Sequence, residues 1–503
     1  MKFNELIDLK QERIKLIHYT WIAFFITFYI WFNMAPLSSM MLKSFGWMTV
    51  DHIKVLAIAN IALTIPARIL IGSIVDHYGP RVTFSVFLIL MGIPCLVFAF
   101  GNTFLQLFIA RLVLSSIGAG FVIGLRMITQ WFSNSNFGFA AGIYAGWGNF
   151  GSAVSAMTLP WVATYVFGGN EHGWRYAMAF NGLISIVYGV IYYFNVSDYL
   201  DECSQGFYLK KPANSMIIKV KSLRHLIQYL IWIIPLLGSI AILVWRLKLI
   251  LLESHTIQVE KINLIINGSY VGVIIFALLY IAYIVITNYQ CLKKQKKKEF
   301  SYSWKNIGAL NITYFANFGA ELAVISILPF FYETIFLISP ITSGLIASSF
   351  AVINLVARPL GGWVSDKMSS RKNTLVILMS GVAIGFLLMS IITKYGASDI
   401  QSETTLTPLF SGSLWICIVI FITVICSFFV QSAEGATIAM IPLINKNMTG
   451  QISGLVSAYG NFGGLFFLII YSFFDAKILF VSISMVAVIS SVCCYFFIEE
   501  IKK

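Results

Sequence analysis

The feature that most constrains this chain is the grouping of its apolar residues. Uncharged blocks of about 20 residues or more recur from one end to the other, separated by short polar stretches, and that is how bilayer-spanning helices read. With only 11% of residues charged and a mean hydropathy of +0.84, a water-soluble globule is excluded. Most of the 34 lysines and arginines fall in stretches on one side of the blocks, which orients the chain with that side cytoplasmic. The formal charge of +13 therefore reflects topology, and no soluble stretch is long enough to fold as a nucleic-acid-binding domain. Residues 1–17 carry both charge signs and run straight into a span without a small-residue cleavage site, so the N-terminus reads as cytoplasmic.

Spans read at 19–42, 53–76, 81–101, 103–132, 138–168 and 174–196, then at 305–334, 341–366, 373–393, 410–444, 450–474 and 477–498. Between these two sets of six, the stretch 197–304 contains two further uncharged runs, His225 to Trp245 and Ile262 to Gln290, each long enough to cross. Lys210, Lys211, Lys219, Lys221 and Arg224 precede the pair and a KKQKKK run, Lys293 to Lys298, follows it, so the pair returns the chain to the side it left. The alternative is two helices lying beside the membrane. The expected fold is an all-α polytopic protein of fourteen spans: an N-terminal six-helix bundle (1–196), a central insertion (197–304) and a C-terminal six-helix bundle (305–503).

Two internal echoes support equivalent halves. Ala67-Arg68-x3-Gly72-x3-Asp76-x4-Arg81 returns 290 residues on as Ala357-Arg358-x3-Gly362-x3-Asp366-x4-Arg371. Gly138-x3-Gly142-x5-Gly148-Asn149-Phe150-Gly151 returns 312 residues on as Gly450-x3-Gly454-x5-Gly460-Asn461-Phe462-Gly463. Parallel repeats of this kind place a substrate site at the interface of the halves near the bilayer midplane.

Each repeated arginine lies eight residues from the aspartate that ends its span, or roughly 12 Å deep. An arginine at that depth costs about 2.5–3.5 kcal/mol on insertion scales and calls for a partner or a ligand. The alternative, neutralisation by a buried carboxylate, finds no acid in the second or eighth span other than the terminal aspartates, so Arg68 and Arg358 read as two unpaired cations facing each other. Their planar forks match a small planar oxyanion. Asn149 and Asn461 come to similar depth, while Gly142 and Gly454 read as packing glycines. Glu434 falls near the midplane, Glu321 higher toward the outside, and Arg126 nearer the cytoplasm. A desolvated glutamate there can carry a proton. The seven cysteines form no C-x-x-C pair and read as core residues. The sequons at Asn195 and Asn311 sit at or inside spans. With no nucleotide-binding loop, metal spacing or nucleophile motif, no enzyme, cofactor or metal is expected.

Gly72-Ser-Ile-Val-Asp76-His-Tyr-Gly79-Pro-Arg81 resembles the loop motif of the major facilitator superfamily. Ala145-Gly-Trp-Gly148-Asn149-Phe-Gly151 and Ser457-Ala-Tyr-Gly460-Asn461-Phe-Gly463-Gly464 resemble the two signature segments of its nitrate/nitrite porters. Glu434-Gly-Ala-Thr437, leading to Gly450-Gln-Ile-Ser-Gly454, is similar to the assimilatory uptake members. The resemblance implies a substrate site of Arg68, Arg358, Asn149, Asn461, Gly148 and Gly460, with Tyr314 contacting the anion and Phe121 sandwiching it. It implies a structural role for Arg111, and a gating latch of Asp76, Arg81, Asp366 and Arg371 that breaks on inward opening. The expected function is proton-coupled import of nitrate or nitrite at the cell membrane, with Glu434 and Glu321 as proton carriers and the protein a monomer. Alternatives are a nitrate/nitrite antiporter, a carrier of another small anion and a non-transporting nitrate receptor.

Overall fold

The computed structural model describes residues 8–132, 134–169, 172–198, 218–253, 259–293, 303–368, 370–397, 404–444 and 449–499. Cys203, Lys210, Lys211 and the run from Lys294 to Lys298 lie outside the described residues, as do the side chains of Asp76 and Asp366. The chain folds into α1 (Glu12–Trp31), α2 (Ser38–Ser44), α3 (Val50–Ala62), α4 (Thr64–Tyr78), α5 (Pro80–Phe100), α6 (Phe104–Leu114), α7 (Gly120–Trp131), α8 (Asn134–Trp161) and α9 (Gly173–Asn195). The inserted pair is α10 (Leu223–Glu253) and α11 (Val259–Lys293). The second half comprises α12 (Trp304–Phe336), α13 (Pro340–Val352), α14 (Asn354–Lys367), α15 (Arg371–Ile391), α16 (Ser413–Ile444), α17 (Thr449–Phe473) and α18 (Ala476–Phe497). Between α15 and α16 the chain forms an antiparallel hairpin, β1 (Thr393–Ala397) with β2 (Thr404–Pro408), in the stretch between the ninth and tenth spans of the two sets of six. Its register pairs Thr393 with Pro408 and Ala397 with Thr404.

Among the described residues, thirteen helical segments are long and apolar enough to cross a membrane, both inserted helices among them. The helix of the fifth expected span, α8, lies outside that set because its sequence is rich in glycine and polar residues, yet it runs for 28 residues. With it, the helices match the fourteen expected spans. The second and eighth spans are each broken one turn before their arginine, between α3 and α4 and between α13 and α14. In the first case Pro66 removes the N–H that the carbonyl one turn earlier would take.

Glycine decides how the helices of each half meet. At Gly151 a methyl group would run into the Phe25 carbonyl of α1, and at Gly463 into the Phe315 carbonyl of α12. Phe25 and Phe315 are themselves 290 residues apart, so α1–α8 and α12–α17 are one packing motif used twice. Gly79, with φ of +81°, turns the chain from α4 into α5, and Asp198 stands where its Cβ would be.

The face on which α1 begins and α18 ends is tied together by the Glu499 N–H donating to Asn306 Oδ1 (2.9 Å). At the opposite face the two halves close on each other. Gly344 of α13 abuts the Ala156 carbonyl of α8, and Lys54 Nζ of α3 lies 5.5 Å from the Tyr471 ring of α17. Toward the terminal face, by contrast, nothing among the described residues comes within 4 Å of where a Cβ would stand on Gly142 of α8 or Gly454 of α17. Those two glycines are therefore not the packing contacts expected of them. Among the described residues they border open space, whereas the opposite face is closed by the contacts just named.

Candidate functional site

The two repeated arginines come to the centre of the bundle, both buried, and the Phe318 ring lies near each guanidinium at 5.7 and 5.9 Å. Their surroundings differ. Arg68 donates from Nε to the Gly118 carbonyl (3.3 Å) and from Nη1 across the halves to the Ser457 carbonyl (3.4 Å). Phe121 adds a cation–π contact at 5.5 Å. Among the described residues, no carboxylate lies within ion-pair distance of Arg68.

Arg358 is not the unpaired cation the sequence suggests. Its Nη2 donates to Glu321 Oε2 (2.9 Å) on α12, and the same nitrogen meets Glu434 Oε2 on α16. Asn354, one turn earlier on α14, donates to the other Glu321 oxygen (2.7 Å), and Gln431 Oε1 lies 3.5 Å from Nη2. Asn149 of α8 completes the ring from the other half. The amide orientation that satisfies both groups puts its oxygen 2.5 Å from Nη1 and 3.2 Å from Nη2. Glu321 lies outward of Arg358, level with Asn354, and still belongs to the same central cluster because the long guanidinium side chain reaches up to it.

The repeat explains the asymmetry. The offset that carries Arg68 onto Arg358 also carries Trp31 onto Glu321, Thr64 onto Asn354 and Phe24 onto Tyr314. Where the second half places a carboxylate, the first places an indole whose Nε1 donates to the Asn60 carbonyl (2.6 Å). The first half spends its own nearby arginine, Arg111, on Asn33 Oδ1 (2.8 Å) and the Trp31 carbonyl (2.6 Å), fully buried.

The remaining expected residues are placed as follows. Tyr314 is buried and stacked on Phe318 at 5.0 Å, beside Gly460. A methyl at Gly460 would stand 2.6 Å from both rings, and one at Gly148 would enter the Phe24 ring. The two glycines therefore admit aromatic walls. Gly460→Ala is expected to displace Tyr314 and Phe318 and weaken anion binding by about tenfold or more while leaving the protein folded, as overpacking costs about 1–3 kcal/mol; equilibrium binding on purified protein checks it. Asn461 donates to the Ser457 carbonyl of its own helix (2.8 Å), one turn below. Arg126 is half-buried on α7. Arg81 donates from Nε to the Tyr193 carbonyl (2.9 Å), its backbone N–H donates to Asp198 (3.0 Å), and Arg371 donates to the Ala439 carbonyl (3.4 Å). Both expected gating arginines are thus engaged within their own halves. Asp198, which the motif does not include, is half-buried, and burial pushes its carboxyl above the ordinary value against the pull of Arg81.

The family model for the Major Facilitator Superfamily matches residues 20–292 and 310–503. The chain belongs to that superfamily. Within it, the chain is 38% identical over 489 residues to "Nitrate/nitrite transporter NrtP" of Picosynechococcus, covering 91% of this chain and 84% of the relative. It is 37% identical to the protein of the same name in Nostoc punctiforme over 98% of this chain and 93% of the relative. Those matches place it in the nitrate/nitrite porter family. A more distant relative, 22% identical over 91% of this chain and 84% of its own length, is the "Probable nitrate/nitrite antiporter NarK1" of Thermus thermophilus. Among solved structures, the inward-open xylose transporter XylE from E. coli superposes with a TM-score of 0.60 at 13% identity, covering 97% of both chains. That likeness is one of fold. The porter is a membrane transporter.

Proposed function

We propose that this porter carries nitrate or nitrite into the cell by alternating access, with Arg68 and Arg358 clamping the anion and Glu321 and Glu434 taking up protons. The terminal face, where the basic residues collect, is then cytoplasmic, and the arrangement described above is open inward. The observation that carries the reading is the unequal partnering of the two arginines. Arg68 presents a cation with no carboxylate within ion-pair distance among the described residues, and Arg358 is shared between two glutamates. Protonating the glutamates releases Arg358 to the anion. The related nitrate/nitrite transporters supply the identity of the anion, and the planar guanidinium forks fit its shape.

Charge arithmetic favours symport. Two arginines and two glutamates sum to zero, so the empty site turns over without carrying charge across the membrane. One nitrate with two protons makes the loaded site +1, which the negative-inside potential pulls inward by about 2.3 kcal/mol per 100 mV. Nitrate/nitrite exchange is the second reading, favoured by the resemblance to the Thermus protein. In proteoliposomes, nitrate uptake is expected to follow an imposed inward proton gradient without internal nitrite. Uptake that needs trapped nitrite and ignores the gradient establishes exchange instead.

A further inference from the structure

The inserted helices carry no residue of the central cluster, yet α10 is fastened to the helix that helps to build it. Tyr459, next to Gly460 in the second signature segment, donates its hydroxyl to the Trp232 carbonyl of α10 (2.6 Å). Pro235 disturbs the α10 hydrogen-bond ladder in that same turn. The Trp232 indole packs edge-on to Tyr459 at 5.4 Å and lies over Gly308 of α12, where a methyl would come within 2.5 Å of it.

A second fastening lies near the other end. Arg246, 6% exposed, donates from Nε to Ser472 Oγ (2.9 Å) and from Nη2 to the Ser472 carbonyl (2.7 Å), with its guanidinium 4.1 Å from the Phe473 ring. Ser472 sits in the last turn of α17, where carbonyls lack helical partners and a cation is favoured. The fastenings are 14 residues apart on α10 (232 to 246) and 13 apart on α17 (459 to 472), or roughly 20 Å on each helix. The two helices therefore run side by side in the same direction, bolted at both ends.

Toward the N-terminal half α10 packs along α3 and, just beyond it, meets the start of α4 through apolar side chains. Ile65 and Pro66 of α4, immediately before the Arg68 turn, face Ile233, Leu236, Leu237 and Ile240 of α10 across a shallow apolar crevice. Aliphatic surfaces impose little direction on each other and can slide, whereas an arginine cap and a tyrosine hydrogen bond cannot do so without breaking.

We infer that α10 is a mechanical part of the C-terminal half, a splint that positions the Ser457–Asn461 segment of α17, and that the α3–α4 span slides along it as the halves rock. Trp232, Tyr459 and Arg246 are positioning residues in this arrangement. The inference rests on the transport reading for its activity measurement.

Cross-linking in full-length, cysteine-free protein reconstituted in liposomes tests it. Trp245→Cys with Phe473→Cys, whose native rings lie 5.8 Å apart, joins α10 to α17. Ile65→Cys with Leu236→Cys joins α10 to α4 across the crevice. Closing the first pair with a cleavable bifunctional thiol reagent is expected to leave nitrate uptake within about twofold of the unlinked protein, and closing the second to lower it about 20-fold or more until the reagent is cleaved. Inhibition by the first link, or full uptake with the second, overturns the inference. Absence of uptake in the unlinked parent overturns the transport reading instead. If a paired variant is inactive before linking, Tyr459→Phe decides. It keeps the ring and removes only the hydroxyl, and nitrate binding is expected to weaken about three- to tenfold at unchanged yield of folded protein. An unchanged Kd for nitrate there overturns the positioning role.

Discussion

Arg68→Lys is expected to abolish nitrate uptake, with binding weakened about 100-fold, although charge, length and helix propensity are nearly unchanged. Arginine holds an oxyanion through two parallel N–H donors in one plane, and an ammonium offers a point charge without that fork. Each charge-assisted bond contributes about 1.5–3 kcal/mol, so losing one costs about ten- to a hundredfold in affinity. At Arg68 the effect is undiluted, because its present partners are two backbone carbonyls and two aromatic rings. Arg358→Lys is expected to abolish uptake as well, by a second route. A single ammonium cannot reach Glu321, Glu434 and the Asn149 amide from one position, and a buried carboxylate left alone costs about 3–5 kcal/mol. The two variants should therefore separate in thermal unfolding, with Arg358→Lys the less stable. Near-normal uptake in either variant contradicts the clamp.

How much of this was legible in the sequence follows from what kind of information each residue carries. The Ala-Arg-x3-Gly-x3-Asp repeat states a symmetry, and that symmetry brings Arg68 and Arg358 to the same Phe318 ring. The pairing of Arg358 with glutamate was not legible, because the acids come from α12 and α16, and rotation about a helix axis is not encoded in hydropathy. Glu321 does stand outward of Arg358, level with Asn354 one turn earlier, and what counting along a helix misses is the reach of the guanidinium side chain. Gly142 and Gly454 misled because four-residue spacing of small residues predicts contact without saying which glycine makes it, and the close approaches fall at Gly151 and Gly463 instead. The signature glycines Gly148 and Gly460 were found for their pattern, but only the structure shows the rings they admit. Nothing in the sequence singled out Arg246 or Trp232, whose partners lie on a helix more than 200 residues away.

Replacing a glutamate by glutamine tests the coupling itself, because it changes the charge of the cluster with almost no change in shape. With Glu434→Gln, Arg358 keeps Glu321 and Asn354 keeps its acceptor, so the fold should hold. The empty site then carries +1. Loading one nitrate and one proton, on Glu321, leaves it at +1, and a complete cycle moves no net charge. The variant is therefore expected to lose nitrate-evoked inward current and, at −100 mV, about 50-fold of the accumulation that the potential supports, since ~2.3 kcal/mol per charge is removed at ~1.4 kcal/mol per factor of ten. Exchange of internal for external nitrate should persist, because it never requires the empty site to cross. Glu321→Gln should behave alike in charge and worse in affinity, because Asn354 then faces an amide and no longer holds a carboxylate against Arg358. The double variant should bind nitrate with no dependence on pH over the range in which the native site changes. Accumulation by Glu434→Gln that still tracks the membrane potential, measured with nitrate at equal pH on both sides, would remove Glu434 from the proton path and with it the two-proton cycle.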